Sequence, residues 1–321
     1  NCIALVKGRP RLLSLKDCVR HFIDHRHDVT IRRTRFDLKK AQDRAHILQA
    51  LIVACDNIDE VVHLIRASKT PQEAVEKLKE ETKNENISYL LVDVSSPMSI
   101  DACVEKIKSE KIQFDVLVNN AGISLVPEYR QAVTGYELTF QTNFLGPAYL
   151  TKCLLDYIVK VSCEPRVVFV NSCTYPKGHP TEISKEHLMP TKEDYGQFTS
   201  YFRSKYCITS HCLTMARKHP ECHFVVCDPG TAATSIARDF GCLGWLQSTR
   251  FMKWLHPADR GAINIAFCAM AQETAKTGVI VYEEKEQEPT KEVVDKEEQD
   301  KVFQITEELM EEGKKHAQEK K

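Results

Sequence analysis

The feature that most restricts the fold of this 321-residue chain is the lack of any glycine between Gly8 and Gly122. A backbone that turns tightly around a phosphate group needs glycine, because a Cβ atom would block the close approach. Gly8 lies in Val6-Lys7-Gly8-Arg9-Pro10, and no helix-opening glycine follows it. The part of the chain before Gly122 therefore contains no glycine-rich phosphate-binding turn.

The composition indicates a globular protein with an uneven charge. Hydrophobic residues make up 42% and charged residues 28% of the chain, as in soluble proteins. Residues 1–74 carry 14 Lys and Arg against 9 Asp and Glu, whereas the remainder is acidic. The 13 cysteines form no C-x-x-C pair, which favours buried thiols in a reducing compartment over disulfides or a metal site. No apolar run is long enough for a membrane span, so we predict a cytoplasmic protein. The first residue is Asn1, so a fragment or a processed product is expected.

Residues 14–67 have the pattern of a long helix. Ser14-Leu15-Lys16-Asp17 can cap a helix start, because the serine hydroxyl accepts a hydrogen bond from a free backbone N–H. Apolar residues then recur at steps of three and four, which predicts a coiled-coil type of seam. Its members are Leu38, Ala41, Ala45, Leu48, Ile52, Cys55, Ile58, Val62 and Ile65. Asn57 resembles a new helix cap, so we expect a break there.

From about residue 75 the pattern changes to short apolar strands that alternate with helices. This alternation predicts an α/β fold with a parallel sheet that helices cover on both faces. Strands are predicted at 89–94, 114–119, 166–171, 223–227 and 279–282. Helices are predicted at 73–82, 99–110, 135–158, 200–218 and 259–272, with a last, solvated helix at 297–312.

Tyr201 and Lys205 form a Tyr-x-x-x-Lys pair one helical turn apart. A free tyrosine has a pKa of about 10, too high for a good base near neutral pH. A neighbouring ammonium favours the tyrosinate, so we expect Lys205 to lower the pKa of Tyr201. Alone, such a pair is common on helices, and Asn119-Asn120-Ala121-Gly122 alone is an ordinary exit from a strand.

Taken together and in this order, these motifs resemble the short-chain dehydrogenase/reductase family over residues 76–312. The strand end Arg166–Ser172, the insertion before Tyr201 and Asp228-Pro229-Gly230-Thr231 are most similar to its retinol-dehydrogenase-like branch. The resemblance implies a doubly wound, Rossmann-like sheet and an oxidoreductase that uses NAD or NADP. Its substrate would be an apolar alcohol or carbonyl compound.

The resemblance also implies a catalytic set of four residues. Tyr201 would be the acid or base, and Lys205 would lower its pKa and bind the nicotinamide ribose. Ser172 would hold the substrate oxygen, and Asn143 would support a water path to the lysine.

The cofactor contacts implied by the resemblance lie at three strand ends. Besides Lys205, they are Asp93 and Val94 at the adenine, Asn119, Ala121 and Gly122 at the adenosine ribose, and Pro229, Gly230 and Thr234 at the nicotinamide amide. The aromatic stretch 240–254 would close over an apolar substrate, or it is a plain packing helix.

The same resemblance implies a gap in the cofactor site. The family's first strand, glycine-rich turn, first helix and second strand have no counterpart here, and the strand at 114–119 becomes a sheet edge. The alternative is that the strand at 89–94 moves over and pairs with it. We expect affinity for NAD(P) to fall by orders of magnitude, and the residues that select NAD or NADP lie in the missing portion.

Residues 1–74 resemble another family, the A subunit of bacterial DNA gyrase and topoisomerase IV. The resemblance rests on Ala4–Pro10, Phe22-x-x-His25-Arg26, Arg32–Leu38 and Ala41-x-x-Arg44-Ala45-His46. It implies the coiled-coil arm of that protein, with self-association through 14–67. These residues contain no tyrosine, so they are not its DNA-cleavage site. Their basic charge is compatible with contact to DNA phosphates and equally with a solvated coiled-coil face.

The domain organisation predicted from the two resemblances is a fusion. It comprises a topoisomerase-like arm at 1–74, a truncated dehydrogenase domain at 75–312 and a charged tail at 313–321. The alternative function is a non-catalytic topoisomerase arm joined to a dehydrogenase relic.

Overall fold

The computed structural model describes residues 2–6, 8–56, 68, 70–230 and 258–319. Within these ranges the side chains of residue 2, residues 40–56 and residues 258–259 are not described. The predicted helix break at Asn57, most of the apolar seam, Thr234 and the stretch 240–254 therefore lie outside the described part.

The chain begins with a β-hairpin that the sequence did not indicate, followed by one long helix. Strands β1 (Cys2–Val6) and β2 (Arg9–Leu13) pair antiparallel across a turn in which Gly8 has a φ of 74°. Helix α1 (Leu15–Asp56) starts where predicted. The Asp17 N–H donates to Ser14 Oγ and the Ser14 N–H donates to Asp17 Oδ2, each over 3.2 Å. This reciprocal cap satisfies two free donors at the helix start. A coiled coil remains a prediction.

A five-stranded sheet follows, which confirms the α/β class. The strands lie in the order β3 (Val116–Asn119), β4 (Arg166–Val170), β5 (His223–Asp228), β6 (Val279–Tyr282) and β7 (Lys285–Gln287). The first four are parallel, and β7 pairs antiparallel with β6. The apolar, β-branched runs of the four parallel strands suit burial on both faces of a sheet, whereas β7 is exposed.

The remaining elements of regular structure are mostly helices. They are α2 (Pro71–Thr82), α3 (Pro97–Ser109), α4 (Leu138–Phe140), a π-helical turn (Gln141–Leu145), α5 (Gly146–Val161), a 3-10 turn (Tyr175–Gly178), α6 (Lys185–Leu188), α7 (Gln197–Lys218), α8 (Ala258–Met270), 3-10 turns at Gln272–Thr274 and Lys291–Val293, and α9 (Lys296–Glu319).

Alternating strand residues pack into two layers. Val167, Phe169 and Phe224 face a core that α5, α7 and α9 cover. On the opposite face Val168 and Val225 pack against α8. This doubly wound arrangement leaves the carboxyl ends of β3, β4 and β5 together at one edge of the sheet.

The predicted strand at 89–94 is wrong. These residues form no strand, and Tyr89, Leu91 and Val92 are exposed, Leu91 by 75%. A strand needs a neighbour for its backbone hydrogen bonds. Within the described residues β3 ends the sheet and pairs only with β4, so the segment does not join it.

The last helix also differs from the prediction. Helix α9 is docked rather than solvated, and it continues to Glu319 through most of the predicted charged tail. Val302, Leu309 and Ala317 are buried, and their helical spacing places them on one face of the helix. Tyr136 Oη donates to the Leu309 carbonyl over 3.1 Å and holds the helix against the domain. In the described part of the chain no helix has the length and apolar character to cross a membrane.

Candidate active site

The candidate active site lies at the carboxyl ends of β4 and β5, beside α7. Tyr201 and Lys205 are one turn apart on α7, and Ser172 follows two residues after the last residue of β4. Parallel strands end at the same edge of a sheet, so the helix and both strand ends meet there. The structure thus brings Tyr201, Lys205 and Ser172 together.

Lys205 is a buried cation. Its side chain is 6% exposed, and its Nζ donates a hydrogen bond of 3.0 Å to the Val170 carbonyl at the end of β4. The ammonium also lies 5.5 Å from the centroid of the Tyr201 ring. Burial lowers the pKa of Lys205 to about 8, while the charge of Asp228 acts in the opposite direction.

The pKa of Tyr201 is not lowered, although the neighbouring Lys205 predicted that it would be. Burial raises the pKa of Tyr201 to about 12, and a hydrogen bond with the Ser172 side chain partly offsets this shift. The charges of Asp228 and Cys173 raise it further. The ammonium lies over the face of the ring, so desolvation of the hydroxyl dominates. In this state Tyr201 is a protonated phenol, suited to donate a proton.

Ser172 is held by the turn that follows it. The Thr174 N–H and Thr174 Oγ1 donate to Ser172 Oγ over 3.3 and 3.0 Å. This turn packs closely against α7 at Gly178, where an added Cβ would lie 1.9 Å from the Phe202 carbonyl oxygen. A side chain at position 178 is therefore incompatible with the present distance between Ser172 and α7.

Asn143 clamps the turn after β3 to α7. It lies in the π-helical turn, and such turns often occur at functional sites. Its Oδ1 accepts from the Ile123 N–H over 2.8 Å, and its Nδ2 donates to the Ile123 carbonyl over 2.9 Å and to Ser204 Oγ over 3.3 Å. Both amide hydrogens are thus engaged in tying these elements together, and the support of a water path stays a prediction.

The two residues predicted at the adenine adopt a turn before α3. Asp93 Oδ1 accepts from the Ser95 N–H over 2.9 Å and from Ser95 Oγ over 2.7 Å. Val94 lies against the start of α5, where a Cβ on Gly146 would meet the Val94 carbonyl oxygen at 1.9 Å. Asp93 is exposed to solvent, but its carboxylate already accepts the two hydrogen bonds from Ser95.

The residues predicted at the adenosine ribose divide into a buried and an exposed part. Asn119 is buried, and its Nδ2 donates to Thr151 Oγ1 on α5 over 3.0 Å. Ala121 and Gly122 are exposed in the turn beyond it. Asn119 thus ties β3 to α5, and the backbone of the turn remains open to a ligand.

The end of β5 carries Asp228, a residue that sequence reasoning did not include in the site. Pro229 and Gly230 follow Asp228, and the Gly230 N–H donates to Asp228 Oδ1 over 2.9 Å while Gly230 has a φ of 78°. Asp228 is buried, and burial raises its pKa. Hydrogen bonds from the Gly230 and Cys173 N–H groups and the charge of Lys205 act in the opposite direction and lower it. A carboxylate at the end of an apolar strand was the available sequence signal.

The described residues fit only part of a nicotinamide dinucleotide. Lys205 uses one of its three N–H donors on Val170, and the remaining two suit a ribose hydroxyl pair. A pyrophosphate needs free backbone donors at a glycine-rich helix start. Beside β3, the start of α3 is capped by its own Ser96, which accepts from the Ser99 N–H, and the chain before Gly122 supplies no such turn. The nicotinamide-ribose end fits, and the phosphate end does not.

Two family models match the chain in different segments. The family of the DNA gyrase and topoisomerase IV A subunits matches residues 1–120. The NAD dependent epimerase/dehydratase family matches residues 94–233. The matches share residues 94–120, so the gyrase-like similarity extends beyond the boundary at 74 that the sequence suggested.

Curated relatives of the amino-terminal segment are the A subunits of DNA gyrases. That of Treponema pallidum (strain Nichols) is 40% identical over 119 residues, which are 37% of this chain and 15% of that protein. That of Lawsonia intracellularis (strain PHE/MN1-00) is 57% identical over 74 residues, or 23% of this chain and 9% of that protein. The chain thus spans a small part of these relatives.

Solved structures resemble the sheet and its helices. An uncharacterized protein from Mycobacterium Paratuberculosis aligns with a TM-score of 0.55 and 21% identity, over 73% of this chain and 81% of that one. Salutaridine reductase from Papaver somniferum aligns with a TM-score of 0.50 and 19% identity, over 65% and 86%. At this identity the likeness concerns the fold. The chain therefore combines a gyrase-like amino-terminal segment with a doubly wound α/β fold, and it matches the NAD dependent epimerase/dehydratase family over residues 94–233.

Proposed function

We propose that residues 75–312 form an NAD(P)-dependent short-chain oxidoreductase that acts on an apolar alcohol or carbonyl compound, as retinol-dehydrogenase-like enzymes do. The observation that carries this proposal is the convergence of Tyr201, Ser172 and Lys205 at the ends of β4 and β5. A phenol, a hydroxyl and a buried ammonium at one edge of the sheet are the groups that a carbonyl oxygen needs during reduction.

The cofactor, when bound, supplies or accepts the hydride. The chain's own residues handle the oxygen and its proton. During reduction the carbonyl oxygen gains negative charge, and the Tyr201 hydroxyl donates its proton to that oxygen. The Ser172 hydroxyl donates a hydrogen bond to the same oxygen, and the Lys205 ammonium stabilises the tyrosinate that remains. Because the pKa of Tyr201 is about 12, the phenol is protonated at neutral pH, which favours reduction over oxidation in this state.

The missing phosphate-binding turn reduces cofactor affinity in this proposal. The proton-transfer groups lie on α7 and just beyond β4, and both elements have their neighbours in the described structure. The pyrophosphate end would lie beyond β3, where those donors are missing. We therefore expect weak binding together with an intact proton-transfer geometry.

Calorimetric titration of the full chain with NADH and NADPH tests the binding part. Lys205→Ala should weaken binding at least tenfold, because the ribose loses its ammonium partner. The exposed Lys160 on α5 offers a matched control, and Lys160→Ala should leave binding unchanged. Absence of binding at millimolar cofactor from folded protein would contradict the proposal.

Single-turnover reduction of a long-chain aldehyde tests the chemical part. Tyr201→Phe removes the proton donor and should slow the reaction by a factor of about 10² to 10⁴ while cofactor binding persists. A control is Tyr157→Phe, since Tyr157 Oη donates to the Ile112 carbonyl away from the site. Equal rates for Tyr201→Phe and the unchanged chain would refute the role of Tyr201.

A second candidate function rests on α1. Several of its large apolar side chains are exposed, among them Phe22 by 65%, Ile23 by 58% and Phe36 by 67%. Exposed apolar side chains along a helix favour association with another helix. The proposal is that residues 14–67 self-associate as a non-catalytic, topoisomerase-like arm, with DNA contact through their basic charge as an additional role.

Sedimentation equilibrium of the full chain distinguishes this candidate. Self-association through α1 should be lost in Phe22→Asp and retained in His21→Asp, which changes an adjacent exposed polar side chain. A monomer at all concentrations would contradict it. A gel-shift titration with duplex DNA at low and high salt tests phosphate contact, which salt should weaken steeply.

A further inference from the structure

Asp228 is a buried carboxylate to which the proposed reaction assigns no role. It is the last residue of β5 and is 7% exposed. Its Oδ1 accepts from the Gly230 N–H over 2.9 Å, and the Cys173 N–H, from the segment after β4, also bonds the carboxylate. Backbone donors from two neighbouring strand ends therefore fix the side chain in place.

The surroundings of Asp228 contain the titratable groups of the candidate site. From α7 they are Lys205 and Tyr201, from the segment after β4 the Cys173 thiol, and from β6 Tyr282, which is the pairing partner of Asp228 in the sheet. Of these groups Lys205 alone carries positive charge. Lys205 Nζ donates to the carbonyl of Val170, and Val170 pairs in the sheet with Cys227, the residue before Asp228. The ammonium and the carboxylate therefore lie at adjacent strand ends, and within the described residues Asp228 supplies the countercharge to the buried ammonium.

Lys205 needs such a countercharge. Its one hydrogen-bond partner in the described structure is a neutral carbonyl, that of Val170. A buried ammonium without a countercharge tends to lose its proton, because water no longer solvates it. Burial lowers the pKa of Lys205 to about 8, and Asp228 opposes this shift. Without the carboxylate a larger share of the lysine would be neutral at neutral pH.

We propose that Asp228 is a positioning residue that keeps the Lys205 ammonium charged and directed toward the ends of β4 and β5. The role in turnover rests on the proposed oxidoreductase function, whereas the effect on the lysine does not. Asp228 acts on Tyr201 in the opposite sense, since its negative charge disfavours the tyrosinate. Its benefit to the reaction therefore passes through the lysine.

The test is an NMR titration of the lysine side chains in the full chain, from pH 6 to 11. Protein labelled with ¹³C and ¹⁵N in lysine shows the titration at the Cε and Nζ positions, and Lys205→Met identifies the Lys205 signal. Asp228→Asn should lower the Lys205 midpoint by one pH unit or more, a tenfold loss of proton affinity. Asp156→Asn changes an exposed carboxylate on α5 and should leave it unchanged.

Asp228→Glu covers the case in which the asparagine variant does not fold. The glutamate retains the charge, so the Lys205 midpoint should stay within half a unit of the unchanged chain. A Lys205 midpoint that is the same with and without a carboxylate at position 228, or one that glutamate lowers as much as asparagine does, overturns the proposal.

A second measurement separates this inference from the proposed function. If the chain reduces aldehydes, one limb of its kcat pH profile should follow the titration of Lys205. Asp228→Asn should move that limb to lower pH by the same amount as the NMR midpoint, with little change in KM. A shifted midpoint in a chain without turnover supports the inference and counts against the oxidoreductase function. Turnover with an unshifted midpoint overturns the inference and leaves the oxidoreductase function standing.

Discussion

His211 provides a stability prediction whose size follows from its surroundings. It is fully buried on α7, and its ring stacks on Phe303 at 5.4 Å and meets Phe144 edge-on at 5.8 Å. Its Nδ1 has no hydrogen-bond partner in the described structure. Burial lowers the pKa of His211 to about 3 from an ordinary value of 6.5, with a smaller contribution from Lys152. The imidazole is therefore neutral in the folded protein.

The sign of the pH effect follows from proton linkage. As the pH falls below 6.5 the unfolded chain binds a proton at this histidine, whereas the folded chain does not until about pH 3. The free energy of unfolding therefore decreases with falling pH. At 1.36 kcal/mol per pH unit the loss between pH 7 and pH 5 is about 2 kcal/mol, and it reaches about 4 kcal/mol at pH 3.

The substitution His211→Phe removes this titration and keeps an aromatic ring among aromatic neighbours. Urea unfolding at pH 7, 6 and 5 gives the difference in unfolding free energy between the variant and the unchanged chain. That difference should shift in favour of the variant by about 2 kcal/mol from pH 7 to pH 5. The exposed His25 on α1 is the control, and His25→Phe should give no such shift. A pH-independent difference for His211→Phe would show that the imidazole is not neutral and buried.

Three further predictions concern the site and its frame. Gly178→Ala would bring a Cβ to 1.9 Å from the Phe202 carbonyl oxygen, so the turn must move by about 1.5 Å and the free energy of unfolding should fall by about 1–3 kcal/mol, measured by urea unfolding. Lys205→Met removes a buried cation whose pKa is about 8 rather than 10.5. As the pH rises from 7 to 10.5, deprotonation of Lys205 stabilises the unchanged chain and not the variant. The free energy of unfolding of the variant should therefore fall by about 3 kcal/mol relative to that of the unchanged chain over this range. Tyr136→Phe removes the hydrogen bond to the Leu309 carbonyl and should lower the thermal midpoint by an amount that corresponds to about 1 kcal/mol, as circular dichroism can measure. An unchanged free energy of unfolding for Gly178→Ala would contradict the close packing at Gly178. A pH-independent stability difference for Lys205→Met would contradict the lowered pKa of Lys205. An unchanged thermal midpoint for Tyr136→Phe would contradict the hydrogen bond to Leu309.

The parts of the fold that the sequence predicted are those in which local pattern and tertiary environment agree. The apolar run at 279–282 is a strand with the predicted bounds, and the cap at Ser14 starts α1 as expected. In both cases the residues that give the signal also make the contact, either across a sheet or within one helical turn. The candidate residues Tyr201 and Lys205 were likewise predictable, because residues four positions apart on a helix share a face.

The parts that the sequence did not predict depend on neighbours. The run at 89–94 has strand composition, but no adjacent strand receives it in the described sheet. Strand β7 was missed because its hairpin turn contains Glu283 and Glu284, both with positive φ, instead of the usual glycine or asparagine. The direction of the Tyr201 pKa shift was wrong because desolvation depends on burial, which spacing along a helix does not specify.

Under the proposed function, the location of the missing turn separates cofactor affinity from proton-transfer geometry. Ser172 lies just beyond β4, Lys205 on α7 and Asp228 at the end of β5, and the two packed cores hold these elements from both faces of the sheet. In the proposed function the missing phosphate donors belong beyond β3, at the edge of the described sheet, and Asn143 joins the turn after that strand to α7 through the Ile123 backbone and Ser204 Oγ. Loss of those donors weakens the hold on a dinucleotide without moving the phenol, the hydroxyl or the ammonium. Under the proposed function, weak cofactor binding together with proton transfer by Tyr201 is therefore the expected behaviour, and Asn143 is the residue through which a change at the edge would reach the site.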